Sequence, residues 1–182
     1  MSASDYEVKL DLPFEYVPVY PEIDPRRLNH IAIKREDIPY EIGRFFLVNG
    51  LSINHAEYFY TPPNTNLPPH VDHHHFHDYT KLNWMFGGEG STMDWYDVLP
   101  GFEPIVRTTQ IGSKFMTVPR GYLKLAHSAL IGRPSLIHYG GFHGVTNTNN
   151  PRHVFSFAIG DKHTHTAVPF NKSKEIFKKY VV

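Results

Sequence analysis

Histidine is the residue type that could do chemistry here: the 182-residue chain holds 13 of them, against 4 Met, 2 Trp and no Cys. His70-Val71-Asp72 sets an imidazole and a carboxylate two residues apart, and in a strand such residues project to the same face. The pair can meet one cation if a third ligand arrives from elsewhere. Two imidazoles and one carboxylate on one side of an ion leave three coordination positions open. Chance placement gives roughly 0.6 His-x-Asp triplets for this composition, so the triplet gains weight only from a second region. The stretch PSLIHYGGFHGVTNTNNPRHVFSFAIG supplies it. His143 is followed by an Asn/Thr-rich turn ending in Pro151, and then by Arg152, Val154, Ser156 and Ala158 alternating on one face. Read as a hairpin, the turn returns Arg152 beside the strand that carries His143. A guanidinium near a metal suits a dicarboxylate that chelates with one end and sets its distal carboxylate on a bidentate fork. Ser156 adds a hydroxyl to that face.

Other readings of these residues compete. His138, in the apolar run Ser135 to Tyr139, is the rival third ligand, though a lone His there is more often a core residue; the short interval to Arg152 favours His143. Strand parity puts His74 with His70 and Asp72, and His73, His75 and His77 on the other face; the plain reading of that cluster is a solvated loop. Arg152 read alone is a surface arginine after a turn. Trp84, Trp95, Phe86 and Tyr96 read as core or barrel-mouth aromatics, with Asn83 and Tyr96 also suited to lining a cosubstrate pocket. Gly87-Gly88-Glu89-Gly90 lacks the Lys-Ser/Thr of a phosphate loop and reads as a hairpin turn, and no G-x-S-x-G elbow is present. HVDHHHFHD lacks the ligand order a binuclear hydrolase site needs.

The elements that must position these residues are mostly strands. Short apolar or alternating runs recur with turn residues between them: Glu57 to Tyr60, His70 to His74, Lys81 to Phe86, Thr92 to Val98, Lys114 to Val118, Tyr122 to Ala126, Ser135 to Tyr139, His143 to Asn147 and Arg152 to Ile159. This spacing predicts a sandwich, jelly roll or barrel. Gly43 to Val48 reads as a short buried strand after a break at Ile38-Pro39. Asp97 to Lys114, with its Pro and Gly, reads as a loop able to cover the site. SKEIFKKY reads as a terminal helix within about 171–182. The expected organisation is one domain over 1–182, with a β core near 56–160 and an N-terminal extension over 1–55.

Composition narrows the classes. Lys plus Arg and Asp plus Glu each count 18, a formal charge of +0 that argues against a general nucleic-acid partner. Without Cys there is no disulfide, iron–sulfur cluster or thiol nucleophile, which suits a cytoplasmic location. No run of about 18 apolar residues is present to span a membrane. Oligomeric state is not legible.

His70-x-Asp72, the distal His143 and Arg152 nine residues later resemble the pattern of Fe(II)/2-oxoglutarate-dependent dioxygenases, over roughly Tyr58 to Ile159. Lys81-Leu82-Asn83-Trp84 and Asp94-Trp95-Tyr96 are also similar to a group of bacterial and viral members. The resemblance implies a double-stranded β-helix, a jelly-roll (cupin-like) fold with a few flanking short helices. It implies His70, Asp72 and His143 as ligands of Fe(II), Arg152 as the 2-oxoglutarate anchor, and O2 as co-reactant. The expected reaction is hydroxylation of a C–H bond in an amino acid, peptide or small metabolite. The alternative is a non-catalytic or 2-oxoglutarate-independent cupin-like protein that binds a metal or ligand.

Overall fold

The computed structural model describes residues 5–72, 78–109, 112–130, 132 and 134–182. Twelve strands and two α-helices occur in these residues: β1 (Glu7–Lys9), β2 (Asn29–Ala32), α1 (Tyr40–Val48), β3 (Leu51–Thr61), β4 (Leu67–Val71), β5 (Thr80–Gly87), β6 (Thr92–Val98), β7 (Ile105–Thr108), β8 (Lys114–Thr117), β9 (Leu123–Leu130), β10 (Ser135–His138), β11 (Phe142–Thr146), β12 (Arg152–Asp161) and α2 (Phe170–Phe177). The strands form two six-stranded antiparallel sheets. One runs β1-β10-β5-β12-β3-β2 and the other β7-β8-β4-β11-β6-β9. The chain alternates between the sheets from β3 to β6 and again from β9 to β12, with β6 and β9 paired in the second sheet. That alternation winds the chain into the jelly roll the sequence predicts, while β1, β2, β7 and β8 widen its edges.

Period-2 alternation decides what each face of the first sheet carries. On β12, Phe155, Phe157 and Ile159 join a large buried cluster with Leu82 and Trp84 of β5, Tyr58 of β3, and Ile42, Phe45 and Phe46 of α1. Tyr16, from the N-terminal segment, seals this outer face with its ring edge-on to Trp84, Phe155 and Phe157. The intervening residues, Arg152, Val154 and Ser156, face the second sheet. Directly paired residues of neighbouring strands share a face. Lys81, Asn83 and Met85 of β5, and Glu57, Phe59 and Thr61 of β3, therefore line the same inner wall.

Three sequence readings are corrected here. Gly43 to Val48 belongs to helix α1, not to a strand. Pro39 does not end a helix but precedes its first residue, where a fixed φ and a missing N–H cost nothing, and Ile42, Phe45 and Phe46 make a buried i, i+3, i+4 stripe. Gly87 to Gly90 is not a hairpin, because β5 and β6 lie in different sheets. The turn between His143 and Arg152 is not a hairpin either: β11 pairs with β4 and β6, and β12 with β3 and β5. Both connections cross the sandwich. The stretch read as an irregular cover, Asp97 to Lys114, contains β7, an edge strand on β8. The 73–77 cluster lies outside the described residues. No described helix is long and apolar enough to cross a membrane.

Candidate metal centre

β4 and β11 are hydrogen-bonded neighbours in which His143 lies opposite His70. The pairing needs a glycine beside the site. A Cβ at Gly144 would stand 2.9 Å from the Leu67 carbonyl oxygen and 3.3 Å from Pro69 N, both backbone atoms. With the strands this close, the two imidazole rings have centroids 4.8 Å apart. Asp72 follows β4 and turns back toward them, with Oδ1 3.1 Å from His70 Nε2 and 3.6 Å from His143 Nε2. One ligand atom from each of the three lies within 4.8 Å of the others, and among the described residues no other group of three His, Cys, Asp or Glu does so.

The other ring nitrogens fix what these atoms can do. His70 Nδ1 donates to the Pro68 carbonyl at 2.8 Å, and His143 Nδ1 to the Gly141 carbonyl at 3.0 Å. A carbonyl only accepts, so in each neutral ring Nδ1 carries the hydrogen and Nε2 presents a lone pair. Two such lone pairs converge on a carboxylate oxygen, an arrangement that is unfavourable unless a metal ion stands between them or a ring takes up a proton at Nε2. Two imidazoles and one carboxylate on one side of an ion are a donor set suited to a divalent first-row metal with positions left open. The residues fit a metal.

Asp72 does not stand alone. Its second oxygen, Oδ2, accepts from Lys81 Nζ at 2.7 Å, and Lys81 donates again to Glu57 Oε2 at 2.8 Å. His30 and His55 both approach the remaining oxygen, Glu57 Oε1, at 2.7 and 3.1 Å. Burial would push the Asp72 carboxyl up, but Lys81 and the two imidazoles hold it well below the usual carboxylate range. Burial would lower Lys81, yet Asp72 and Glu57 keep it well above the ordinary lysine value. The two histidines split: burial pulls both down, and bonding to Asp72 outweighs it at His70, which lies above the usual value, but not at His143, which burial keeps below it.

Farther along the inner wall lies a second set of polar groups. Arg152 is 5% exposed, and its Nε donates to Met85 Sδ at 3.1 Å. No carboxylate among the described residues pairs with it, and burial lowers its guanidinium to about 10. Ser156 Oγ, Asn83 Oδ1 and Thr61 Oγ1 are buried without a hydrogen-bond partner among the described residues. Ser156 lies opposite Asn83, and Arg152 opposite Thr61, so all four share one face. Tyr139 joins this wall to the metal centre, its hydroxyl accepting from Asn83 Nδ2 at 3.0 Å and its ring edge-on to His143 at 4.6 Å. The guanidinium can receive an anionic group and the Ser156 and Thr61 hydroxyls can donate to one, whereas Asn83 Oδ1 can only accept.

The structure brings His70, Asp72 and His143 together, and sets Arg152, Ser156 and Asn83 on one inner wall. It corrects Tyr96. That residue lies opposite Phe142, on the far side of its sheet from His143, and packs with Val71, Met116, Val118 and Phe142. His138 also lies away from the site, its ring stacked on Phe170 at 5.2 Å and its Nε2 3.4 Å from Asp78. Sequence reasoning missed Lys81, Glu57, Tyr139 and Thr61. A faint signal existed for Lys81, which shares strand parity with Asn83 in KLNWMF and so points inward.

No family model matches the chain, and no curated protein matches it. Among solved structures it is similar to oxalate oxidase in complex with the substrate analogue glycolate, at 13% identity over 94% of this chain and 88% of that one, with a TM-score of 0.38. A recombinant oxalate oxidase in complex with glycolate is also 13% identical, covering 89% of this chain and 76% of that one, with a TM-score of 0.36. Peruvianin-I, a cysteine peptidase from Thevetia peruviana latex, is 14% identical over 90% of this chain and 94% of that one, with a TM-score of 0.33. Likenesses this distant carry nothing about the chemistry, which rests on the residues of the inner wall.

Proposed function

We propose that the chain is an Fe(II)/2-oxoglutarate-dependent oxygenase that hydroxylates a C–H bond of an amino acid, peptide or small metabolite. One observation carries the reading: the convergent His70–Asp72–His143 trio lies on one sheet, and the other sheet, on its face toward that one, holds a buried arginine with no carboxylate partner among the described residues. A buried guanidinium without a counter-charge is costly, and a ligand carboxylate removes that cost. When bound, iron(II) would supply the centre at which O2 oxidises the substrate as 2-oxoglutarate goes to succinate and CO2.

The chain's own part is positional. His70 and His143 hold their Nε2 atoms toward the metal through their Nδ1 bonds, and Asp72 adds Oδ1. Arg152 receives the distal carboxylate of the keto acid, and Ser156 and Asn83 flank it. The apolar groups of the inner wall, Val154 and Met85 among them, keep bulk water from the reacting end.

Iron-dependent conversion of 2-oxoglutarate to succinate tests the reading. His70→Ala and Asp72→Ala are expected to abolish it, and Arg152→Ala to raise mainly the 2-oxoglutarate requirement. A parent protein that binds iron but neither binds nor turns over 2-oxoglutarate would sink the proposal in favour of a metal-binding jelly roll that needs no keto acid. Equal turnover by the parent and all three variants would remove the site itself.

A further inference from the structure

We infer that Lys81, seated by Glu57, is a positioning residue that holds Asp72 as a one-oxygen metal ligand. The inference rests on the metal reading above and adds to it a constraint on how the carboxylate binds. Asp72 divides its oxygens: Oδ1 lies toward both Nε2 atoms, and Oδ2 is engaged at 2.7 Å by the Lys81 ammonium. A carboxylate free at both oxygens can chelate an ion with the two of them. Here the second is withheld by a charge-assisted hydrogen bond, the stronger kind.

Lys81 has little freedom to let go. Its side chain is buried, its other hydrogen bond runs to Glu57 Oε2 at 2.8 Å, and its Nζ lies 4.4 Å from the Tyr139 ring centroid. Glu57 is itself pinned, since His30 and His55 occupy its other oxygen. The series runs from the edge of β2 and β3 to the metal side of Asp72, with a named partner at each polar atom.

The consequence is a count of open positions. With one oxygen from Asp72 and two imidazoles, an octahedral ion keeps three positions free. A ligand chelating through two atoms would take two of them and a one-atom ligand the third. A two-oxygen aspartate would leave only two, so one of these ligands would be displaced.

The test uses cobalt(II) alone as probe, followed by the visible absorption of the bound ion, with thermal melting of each metal-free variant as the control for folding. The parent is expected to bind cobalt(II), and addition of 2-oxoglutarate to change its spectrum. Lys81→Met is expected to bind cobalt(II) roughly tenfold to a hundredfold more weakly, as losses around metal ligands do. Its band intensities should differ from the parent's, and the response to 2-oxoglutarate should be reduced. Lys81→Arg should recover part of the affinity, and Glu57→Gln should change both readouts in the same direction by less. If Lys81→Met does not fold, Glu57→Gln decides alone. Folded variants with the parent's spectrum and affinity within about twofold would overturn the clamp while leaving the metal centre standing. A parent that binds no cobalt(II) would instead remove the metal reading itself.

Discussion

Ser156 on β12 and Asn83 on β5 lie directly opposite one another, and each presents a buried oxygen that no described protein group satisfies. Native interiors rarely leave two such oxygens side by side, because each carries a desolvation cost of about 1–3 kcal/mol. Their position on the wall of Arg152 gives that cost a use, and it makes the first prediction a trade between stability and binding.

Ser156→Ala removes a hydroxyl that has no hydrogen-bond partner among the described residues. Its unfolding free energy should stay level or rise, while affinity for 2-oxoglutarate in the metal-loaded protein should fall about tenfold to a hundredfold, the range for a lost hydrogen bond to a charged group. Denaturant melts of the metal-free protein and calorimetric titration of the manganese form under nitrogen read the two effects separately. A variant destabilised with unchanged affinity would mean the hydroxyl serves the fold.

Arg152→Met extends the same logic to charge. The substitution removes a buried guanidinium that has no carboxylate partner among the described residues and fills its place with an apolar chain, so the metal-free protein should melt at a higher temperature than the parent. Binding of 2-oxoglutarate should weaken by about 2–5 kcal/mol, as when one partner of a buried charge pair is truncated.

His143→Ala and His138→Ala separate the two histidines that sequence reasoning left in competition. The first should abolish metal binding. The second should leave metal affinity unchanged and cost only the Phe170 stacking and the contact with Asp78. Metal content after dialysis against a defined iron(II) or cobalt(II) buffer distinguishes them.

Gly144→Ala should damage the site without touching a ligand. The added methyl meets backbone atoms of Leu67 and Pro69, which cannot swing aside as a flexible side chain could. Pushing β11 from β4 separates His143 from His70. A loss of about 1–3 kcal/mol in stability and a marked fall in metal affinity are expected, read by denaturant unfolding and cobalt(II) titration.

The histidines outside the metal centre contribute a pH dependence of definite sign, which the raised His70 opposes in the metal-free protein. Burial holds His138 and His153 below the ordinary histidine value of about 6.5, and the Tyr58 hydroxyl lies 2.7 Å from His153 Nδ1. The unfolded chain then binds protons that the fold refuses. The stability these residues contribute is present above about pH 6.5 and is lost as the pH falls below it. Burial opposes ionisation of Glu57, but Lys81, His30 and His55 hold its carboxyl below the usual range. Its contribution is present above about pH 4.3 and is lost as the pH falls from there. Thermal melts from pH 8 to pH 4 should show falling stability, and His153→Gln should flatten the upper part of the slope.

Much of this was legible in the residues themselves. Thr92 to Val98 is bounded by Gly90 and Pro100-Gly101 and forms the strand its sequence predicts. Strand parity pairs His70 with Asp72, while only the short interval to Arg152 favours His143 over His138, an interval read as a hairpin that the two sheets do not form. Helix α1 was lost because the four-residue apolar run Phe45 to Val48 cannot be told from a buried strand by length alone; the stripe of Ile42, Phe45 and Phe46 was the better guide. The crossings at Gly87 to Gly90 and before Arg152 were lost for a different reason. A short Gly- or Asn-rich turn has the same composition whether it joins neighbours in one sheet or leads to the opposite sheet. Tyr96 failed with them, since its side is set by which residue of β11 it faces. Lys81 was visible as an inward lysine, but its partners lie 9 and 24 residues away in the chain, and only the assembled strands bring them into reach.

The connection before Arg152 crosses the sandwich, so the reach from the third histidine to the guanidinium is set by the thickness of the protein's interior and not by the length of that loop. Lengthening the loop by a residue or two near Asn149 would leave this ruler unchanged. Swapping a large inner-wall side chain for a small one would reset it, and with it the span between the three ligands and the guanidinium.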